Sequence, residues 1–461
     1  MKRNVKMHED EIELETTPAD EHKETGFDQD SQSQMRWLYV LAIGLGFFTT
    51  GISWSVYNSY LPAEFLPTFI VGDLQNTIIG AIMVLDNILA VVIQPYIGAK
   101  SDSTRTRWGR RMPYIMVGTP IAAAFFTLIA YGWAVFGFWF MLAIITIFNI
   151  SMAFYRAPVV ALMPDLVSSE HRTKANGIIN LMGGIGAIYA FAIASRIFKI
   201  NSPALGALLG VTAAQVGPIL TFLSTSIIMV VAVIILFFAI KEPQVPPVDA
   251  DKPREIGIIE AFREVSFSED KSAAAILGAI FMWFFGYNAI ETWFTKYGNE
   301  ILGFAVEDAS FLLTGIALSF VIFAVPAGLL AEKLGRRNTI LVGLLIMHAS
   351  LIALWFSADY NTILGIFAVA GIGWAFVNVN SIVIMWELLG KVRIGAGTGL
   401  YYAASMGAAI VGPFVAGVFF DLTSISFLFP LSLVFFIVAF ILTLAVRTGE
   451  VGDESKSEMA A

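Results

Sequence analysis

The sequence predicts an all-α membrane protein in which twelve transmembrane helices form two pseudo-symmetric halves of six helices each. The first observation is composition: of the 461 residues, 57% are hydrophobic and only 14% are charged, whereas soluble domains carry about 25% charged residues. The second is a series of twelve apolar runs that are long enough to cross a bilayer, since one helical span needs about 20 residues. The third is an internal repeat that relates the first six runs to the last six.

The predicted spans follow one another with short polar segments between them. Cysteine is absent from the chain, which excludes disulfides, thiolate metal sites and cysteine nucleophiles. The spans are predicted at residues 37–61, 74–99, 113–134, 137–163, 174–198, 215–240, 273–296, 308–332, 338–357, 361–386, 395–420 and 425–446.

A segment of different composition divides the spans into two groups. Residues 241–272 begin K-E-P-Q-V-P-P-V and are rich in proline and charge, which is typical of a linker. We therefore predict an N-terminal half at 37–240, a cytoplasmic linker at 241–272 and a C-terminal half at 273–446. Residues 1–36 are acidic and polar and are expected to form a disordered cytoplasmic tail, with a second tail at 447–461.

Basic residues fall in alternate loops and set the predicted orientation. Arg110 and Arg111 follow the second span and Arg336 follows the eighth, whereas the opposite loops carry acids such as Glu300 and Asp308. Short loops rich in Lys and Arg are retained on the cytoplasmic side. The sequence thus predicts a multi-pass protein of the plasma (inner) membrane with both termini in the cytoplasm.

The two halves repeat one another around the loops that follow the second and eighth spans. Gly98 corresponds to Gly328, and the pair Arg110 and Arg111 corresponds to the later Arg-Arg pair at 336–337. Parallel repeats of this kind place a binding site near the bilayer midplane, at the interface between the repeats.

The loop between the second and third spans carries a recognisable motif. Residues 94–113 read Q-P-Y-I-G-A-K-S-D-S-T-R-T-R-W-G-R-R-M-P. The core G-x-x-x-D followed by R-x-G-R-R resembles the corresponding loop of major facilitator transporters. The fuller form is similar to the sucrose-transporter branch of the glycoside–pentoside–hexuronide cation symporters, as is the stretch 149–166. The resemblance implies the major facilitator fold and sugar transport by alternating access.

Three ionisable residues lie inside predicted spans, where each costs about 2.5–3.5 kcal/mol at a helix centre. Asp86 is the first candidate for a proton-coupling group, and the alternative is a structural partner of Arg156. Glu291 is the second candidate, and its alternative is an interfacial carboxylate. The resemblance implies that Arg156 serves substrate binding and coupling, while a purely structural buried arginine remains the alternative.

The coupling ion is predicted to be a proton rather than sodium, with no other cofactor and no metal site. Melibiose-type symporters of the family bind sodium through paired acids on the second helix, and the matching positions here are Ala90 and Gln94. Plant sucrose transporters carry their proton on an aspartate where this chain has Ile145. If the coupling is retained, another acid must therefore take it over, first Asp86 and then Glu291.

Aromatic and amide side chains inside the spans are candidates for sugar binding, because sugars stack on aromatic rings and hydrogen-bond through their hydroxyls. Packing is the alternative for each of them. The candidates are Trp54, Tyr57, Asn58, Asn149, Arg156, Asn180, Tyr287, Asn288, Trp374, Asn378 and Tyr401.

Charged residues at the inner ends of the spans are predicted to form a cytoplasmic gate. As in the family, they should form salt bridges between the halves that hold an outward-open state, and the alternative for some arginines is ordinary membrane topology. The predicted gate comprises Asp102, Arg110, Arg111, Asp165, Glu332, Arg336, Arg337 and Glu387.

These features predict a secondary transporter that couples inward proton flow to uptake of an α-glucoside such as sucrose or maltose. A sodium-coupled glycoside symporter, an exporter or antiporter of drugs or metabolites, and a membrane receptor are the alternatives. No nucleophile–base grouping points to an enzyme. We expect a monomer whose partners are a small sugar and the lipid bilayer, with no nucleic acid.

Overall fold

The computed structural model describes residues 37–167, 172–242, 258–267, 271–389 and 394–447. Within these ranges the chain is helical, and the only β-type pairing is an isolated bridge between Thr106 and Gly109. Twelve of the described helices are long and apolar enough to cross a membrane. The predicted fold class is confirmed.

The first six spans, α1–α6, form the N-terminal half, and the predicted boundaries agree with them to within a few residues. They are α1 (Trp37–Phe65), α2 (Gln75–Ser103), α3 (Met112–Val135), α4 (Phe138–Leu166), α5 (Gly177–Phe198) and α6 (Ala213–Ala239).

The last six spans, α7–α12, form the C-terminal half. A short helix, Pro203–Leu209, lies between α5 and α6, and another, Ile258–Phe267, precedes α7. Residues 243–257 and 268–270 of the predicted linker, and the predicted tails except for Arg447, lie outside the described residues. The spans are α7 (Ser272–Glu300), α8 (Val306–Leu334), α9 (Arg336–Trp355), α10 (Tyr360–Leu389), α11 (Ala396–Leu422) and α12 (Ile425–Leu444).

Several spans are not regular helices along their whole length. The α2 span consists of Gln75–Met83 and Leu85–Ser103, which meet at Val84. The α1 span ends in a π-helical turn at Leu61–Phe65, and α5 contains another at Tyr189–Ala194. Such irregular turns inside helices are frequent at functional sites. The break in α2 places Asp86 in the first turn of its second segment.

The two halves meet along three helix pairs, α2 with α11, α5 with α8, and α1 with α7. Glycines permit these close approaches. A Cβ atom on Gly417 of α11 would lie 2.4 Å from the carbonyl oxygen of Asn76, and a Cβ on Gly80 of α2 would lie 2.8 Å from that of Pro413. Small residues let helix backbones pack closely within a membrane.

The contact between the halves is concentrated at one end of the bundle. α11 packs mainly on the first segment of α2, Gln75–Met83, and much less on the second. We call this the closed end. At the opposite end, where Arg110 and Arg336 lie and which we call the basic end, a Cβ atom on Gly98 or Gly328 would meet no atom within 4 Å. The halves therefore separate toward the basic end, which is the end predicted to face the cytoplasm.

Candidate functional site

A cavity of about 210 Å³ lies between the two halves and is the candidate site. Helices α1 and α5 supply one wall, and α7, α8 and α10 supply the other. Four of the sequence-predicted residues, Trp54, Tyr287, Glu291 and Trp374, lie in its lining. The full lining is Gly51, Trp54, Ser55, Gly183, Gly184, Ala187, Phe191, Tyr287, Glu291, Ile316, Ala317, Phe320 and Trp374.

Glycines shape the wall that the N-terminal half contributes. A Cβ atom on Gly51 of α1 would lie 2.4 Å from the carbonyl oxygen of Gly183 on α5, so the two backbones are in direct contact. A Cβ on Gly184 would lie 2.8 Å from the side chain of Val321 on α8. Larger residues here would push α5 away from α1 and α8, and the cavity would change shape.

Stacked aromatic rings form the wall that the C-terminal half contributes. The rings of Tyr287 on α7 and Trp374 on α10 are parallel, with centroids 4.0 Å apart and 4° between their planes. Phe284 meets Trp374 edge to face at 5.5 Å, and it meets Tyr401 in the same way at 6.0 Å. Tyr401 thus supports this wall from behind, although it does not line the cavity itself.

Polar atoms without partners lie on the N-terminal side. The indole nitrogen of Trp54, the hydroxyl of Tyr57 and both amide atoms of Asn149 are buried and make no hydrogen bond to any described residue. Asn149 and Tyr57 are close to one another, and the ring of Tyr57 packs edge to face against Trp54 at 5.4 Å. Buried polar groups are normally hydrogen-bonded. The indole N–H of Trp54, which is in the cavity lining, can therefore donate to a polar ligand or water, while Tyr57 and Asn149 lie outside the lining and within reach of each other.

Asp86 and Arg156 face each other without forming an ion pair. Asp86 accepts a hydrogen bond of 2.9 Å from the amide of Asn87 and lies within electrostatic range of Arg156 and Tyr57. In the described part of the chain, no acidic oxygen lies within 4.0 Å of the Arg156 guanidinium. Arg156 also interacts with Tyr402 of α11, in the other half.

Glu291 lies in the cavity lining rather than at the end of its helix. It interacts with Asn58 of α1 across the boundary between the halves and with Tyr287 one turn away on α7. One carboxylate, that of Glu291, therefore lines the cavity, and a second, that of Asp86, lies outside the lining on the N-terminal side, within electrostatic range of Arg156.

Three other predicted residues are not part of this cavity lining. Asn180 is exposed on α5. Asn288 donates a hydrogen bond of 2.7 Å to the carbonyl of Phe284 on its own helix. The backbone carbonyl of Asn378 accepts a bond from Ser381. A role for these three residues in sugar binding remains a prediction.

The predicted gate residues of the N-terminal half form one compact cluster. Arg110 contacts Asp165 at 2.5 Å, and Arg111 contacts the other oxygen of Asp165 at 3.0 Å. Arg111 also binds Asp102. All these pairs lie within one half.

The gate residues of the C-terminal half likewise pair among themselves. Arg336 binds Glu387 at 3.1 Å and donates to the buried amide of Asn380 at 3.0 Å. Arg337 donates to the carbonyls of Thr443 and Leu444, and Glu332 forms no ion pair with a described residue. Among the described gate residues, no salt bridge joins the two halves in this conformation, and such bridges remain a prediction for the opposite one.

Glu242 makes a buried contact with the basic loop that the sequence did not reveal. Its side chain is 1% exposed and lies 3.8 Å from Arg110. Its carboxylate accepts hydrogen bonds from the backbone N–H groups of Arg111 at 2.9 Å and Met112 at 3.0 Å. These N–H groups begin α3, and a carboxylate is favourable at a helix N-terminus. The start of the predicted linker is therefore attached to the basic loop.

Residues 42–392 match the family described as MFS/sugar transport protein. The match covers well over half of the chain, including all the residues that line the cavity. The chain belongs to this family. The resemblance found around residues 94–113 is thereby confirmed, and proteins of this family are membrane transporters rather than enzymes.

Among the similar proteins of this family is the isoprimeverose transporter of Lactiplantibacillus pentosus, 24% identical over 333 residues, which are 70% of this chain and 65% of that protein. The general alpha-glucoside permease of Schizosaccharomyces pombe is 24% identical and matches 54% of this chain and 45% of its own length. The lactose permease of Lactobacillus helveticus is 29% identical and matches 26% of this chain and 19% of its own length. The chain thus spans less than two thirds of each of these relatives.

Solved structures agree with the fold. A bacterial homologue of the human lysosomal transporter Spinster, in an inward-facing and occupied conformation, aligns with a TM-score of 0.65 at 17% identity, covering 89% of this chain and 96% of that one. The nucleoside transporter NupG aligns with a TM-score of 0.62 at 16% identity, covering 89% of this chain and 99% of that one. At these identities the likeness supports the fold alone.

Proposed function

We propose that this protein is a secondary active transporter that takes up an α-glucoside, such as sucrose or maltose, together with protons by alternating access. The observation that carries the proposal is the cavity between the halves, in which the stacked rings of Tyr287 and Trp374 adjoin the carboxylate of Glu291. A flat apolar surface beside a hydrogen-bond acceptor suits a sugar, which presents C–H faces and hydroxyl edges. An apolar drug would leave the carboxylate without a partner.

The N-terminal side supplies the donors and acceptors that a second sugar ring requires. The indole N–H of Trp54 lies in the cavity lining, Tyr57 and Asn149 lie beside it and offer both kinds of group, and the Arg156 guanidinium carries further donors. A glycoside that spans the two halves would satisfy them. Such a ligand binds both halves at once, and it therefore favours their closure around it.

The shape of the molecule supports alternating access. The halves are in contact at the closed end and apart at the basic end, so a ligand in the cavity is accessible from one side. Rocking of one half against the other around a fixed site is the usual motion of such repeat transporters. The intrahalf pairs of the basic end, Arg110 with Asp165 and Arg336 with Glu387, leave each half intact during that motion.

Two carboxylates inside the membrane support proton coupling. Neither Asp86 nor Glu291 has a basic nitrogen within 4.0 Å among the described residues, and intramembrane carboxylates are the usual members of proton relays. One proton moving through about 100 mV provides about 2.3 kcal/mol, which corresponds to about 50-fold accumulation of a sugar. The names of the relatives, an isoprimeverose transporter and an alpha-glucoside permease, support a glycoside as the cargo.

The test is uptake into proteoliposomes of a panel of labelled sugars, led by sucrose and maltose, with lactose included. Accumulation driven by an inward proton gradient in sodium-free buffer, and abolished by a protonophore, is the expected result. Accumulation that requires a sodium gradient instead would replace the proton with sodium. If no sugar enters under either gradient, the cargo is not a glycoside, and an exporter or antiporter of another compound becomes the better account.

A further inference from the structure

A buried cation and a carboxylate at the closed end take no part in the function proposed above. Lys296 lies near the end of α7 and has a fully buried side chain, with 0% of its surface exposed. Asp421 lies near the end of α11. Although both residues belong to the C-terminal half, their partners other than Glu300 lie on α2 of the N-terminal half.

Asp421 caps the start of α2 from the other half of the molecule. Its two carboxylate oxygens accept hydrogen bonds from the backbone N–H groups of Asn76, at 3.0 Å, and Thr77, at 2.6 Å. These N–H groups belong to the first turn of α2, where no helical partner exists. A negative charge at this position is favoured by the helix dipole. When the halves separate at this end, the cap is lost.

Lys296 reaches the same turn of α2. Its ammonium group donates to the side-chain oxygens of Gln75, at 3.2 Å, and of Asn76, and it lies 3.5 Å from the carboxylate of Glu300. A buried charge is costly unless it is paired and hydrogen-bonded. Because two of its three partners are on α2, Lys296 is satisfied only while α2 is seated against α7 and α11.

The close packing of α2 against α11 around these groups favours a change between discrete arrangements of the two helices over gradual sliding. Gly417 and Gly80 bring the backbones of α11 and α2 into direct contact, and interfaces packed in this way change between discrete states. Lys199 and Asp308 also join the halves at this end, at 2.5 Å. That pair is about one-third exposed on each side, and exposed ion pairs contribute little.

We propose that Lys296 and Asp421, with Gln75, Asn76 and Thr77, form a latch that holds the closed end shut. We call this group the α2 latch. The proposal rests on the alternating access described above. Since α7 carries both Glu291 in the cavity and Lys296 in the latch, a shift of α7 on ligand binding reaches the latch directly. Release of the α2 latch is then the step that admits a ligand from the side opposite the basic end.

The natural absence of cysteine permits a direct test with single reporter cysteines. Ser310 of α8 is fully buried at the closed end and faces Tyr60 of α1, so that a cysteine at 310 reacts with a maleimide only when this end opens. Ser432 of α12 is equally buried but lies within the C-terminal half, against Gly286. A cysteine at 432 therefore reports loss of the fold rather than opening.

Each reporter would be combined with Lys296→Gln, Asp421→Asn or the control Lys199→Gln, and the maleimide reaction rate of the purified protein would be measured. We expect the maleimide to label the cysteine at 310 at least about tenfold faster in Lys296→Gln and in Asp421→Asn than in the parent. Each substitution removes a charged group and leaves its buried hydrogen-bond partners on α2 unpaired. Labelling at 432 should not change, and Lys199→Gln should leave both rates near those of the parent.

An unchanged rate at 310 in both latch variants would overturn the proposal. Equal acceleration at 310 and 432 would also overturn it, since the residues would then stabilise the fold rather than one conformation. The measurement requires neither a sugar nor an ion gradient. Its failure is therefore distinct from failure of the proposed transport function, which the uptake experiment tests separately.

Discussion

The ring of Tyr287 on α7 lies parallel to the indole of Trp374 on α10, with the ring centroids 4.0 Å apart. The stack joins two helices of the C-terminal half and forms an apolar surface next to the Glu291 carboxylate. Because both rings are held by each other and by Phe284, the surface is formed before any ligand arrives. Binding on such a surface loses little side-chain entropy.

Replacing Trp374 by Ala should weaken sugar binding with little effect on folding. Loss of the stacking surface should raise the apparent dissociation constant about tenfold, since an aromatic contact contributes about 0.5–1.5 kcal/mol beyond its buried area. The measurement is the concentration dependence of sugar counterflow. Trp139→Ala is the matched control, because Trp139 is 79% exposed on the outside of the bundle. Equal affinities for the Trp374 variant and the parent would remove this wall from the binding site.

Asp86→Asn should separate coupling from binding. The neutral amide keeps the size of the side chain but cannot exchange a proton, so accumulation driven by a proton gradient should disappear while counterflow of sugar persists. Both would be measured in the same proteoliposome preparation. Glu291→Gln is the companion variant. Persistence of accumulation in Asp86→Asn, with loss in Glu291→Gln, would transfer the coupling role to Glu291.

Arg156→Lys should impair transport although the charge is retained. The guanidinium interacts electrostatically with Asp86 and with Tyr402 of the opposite half, and an ammonium group lacks its planar set of five donors. We expect uptake to fall at least about tenfold, the equivalent of about 1.4 kcal/mol. Arg263→Lys, at an exposed position on the short helix before α7, is the control. Normal uptake by Arg156→Lys would indicate that only the charge matters.

Glu242→Ala should destabilise the protein without altering the cavity. The carboxylate satisfies two backbone N–H groups at the start of α3 and is almost fully buried, and leaving such donors unpaired costs about 1–3 kcal/mol. A lower midpoint of thermal unfolding is therefore expected, compared with Glu260→Ala at an exposed position. An unchanged midpoint would mean that water replaces the cap.

Gly51→Ala should be far more harmful than Gly98→Ala, although both glycines lie within helices. A Cβ at position 51 would meet the carbonyl oxygen of Gly183 at 2.4 Å, whereas a Cβ at 98 would meet nothing within 4 Å. The first substitution must separate α1 from α5 beside the cavity, so that both stability and sugar binding should fall. Thermal unfolding and counterflow, measured on both variants, check the contrast.

Hydropathy alone predicted the twelve spans, because a helix in lipid must be apolar over a length set by the bilayer. Two residues of the cavity lining, Glu291 and Trp374, were also predicted as site residues. Glu291 was recognised as an ionisable group inside a span, and Trp374 as an aromatic side chain on which a sugar can stack. Asn180 and Asn378 were predicted on the same grounds but are not in the lining, because a sequence does not show how far along a helix the cavity extends. Arg110 and Arg336 were predicted to bridge the halves, but in this conformation they pair within their own halves.

Glu242 and Asp421 could not be predicted as caps, because their partners are backbone N–H groups that lie 131 and 345 residues away along the chain. No side-chain pattern marks such a contact. The burial of Lys296 could not be predicted either, since a lysine is normally excluded from the interior. Its burial is understood only when Gln75 and Asn76 are seen beside it.

The most direct test of the account is the movement of protons when sugar is added. Proteoliposomes containing a pH-sensitive dye, without sodium and without an imposed gradient, would receive sucrose or maltose on the outside. The account predicts immediate acidification of the lumen with the parent protein and none with Asp86→Asn, while counterflow shows that the variant still binds sugar. Sugar entry without any acidification of the lumen in the parent would contradict proton-coupled symport.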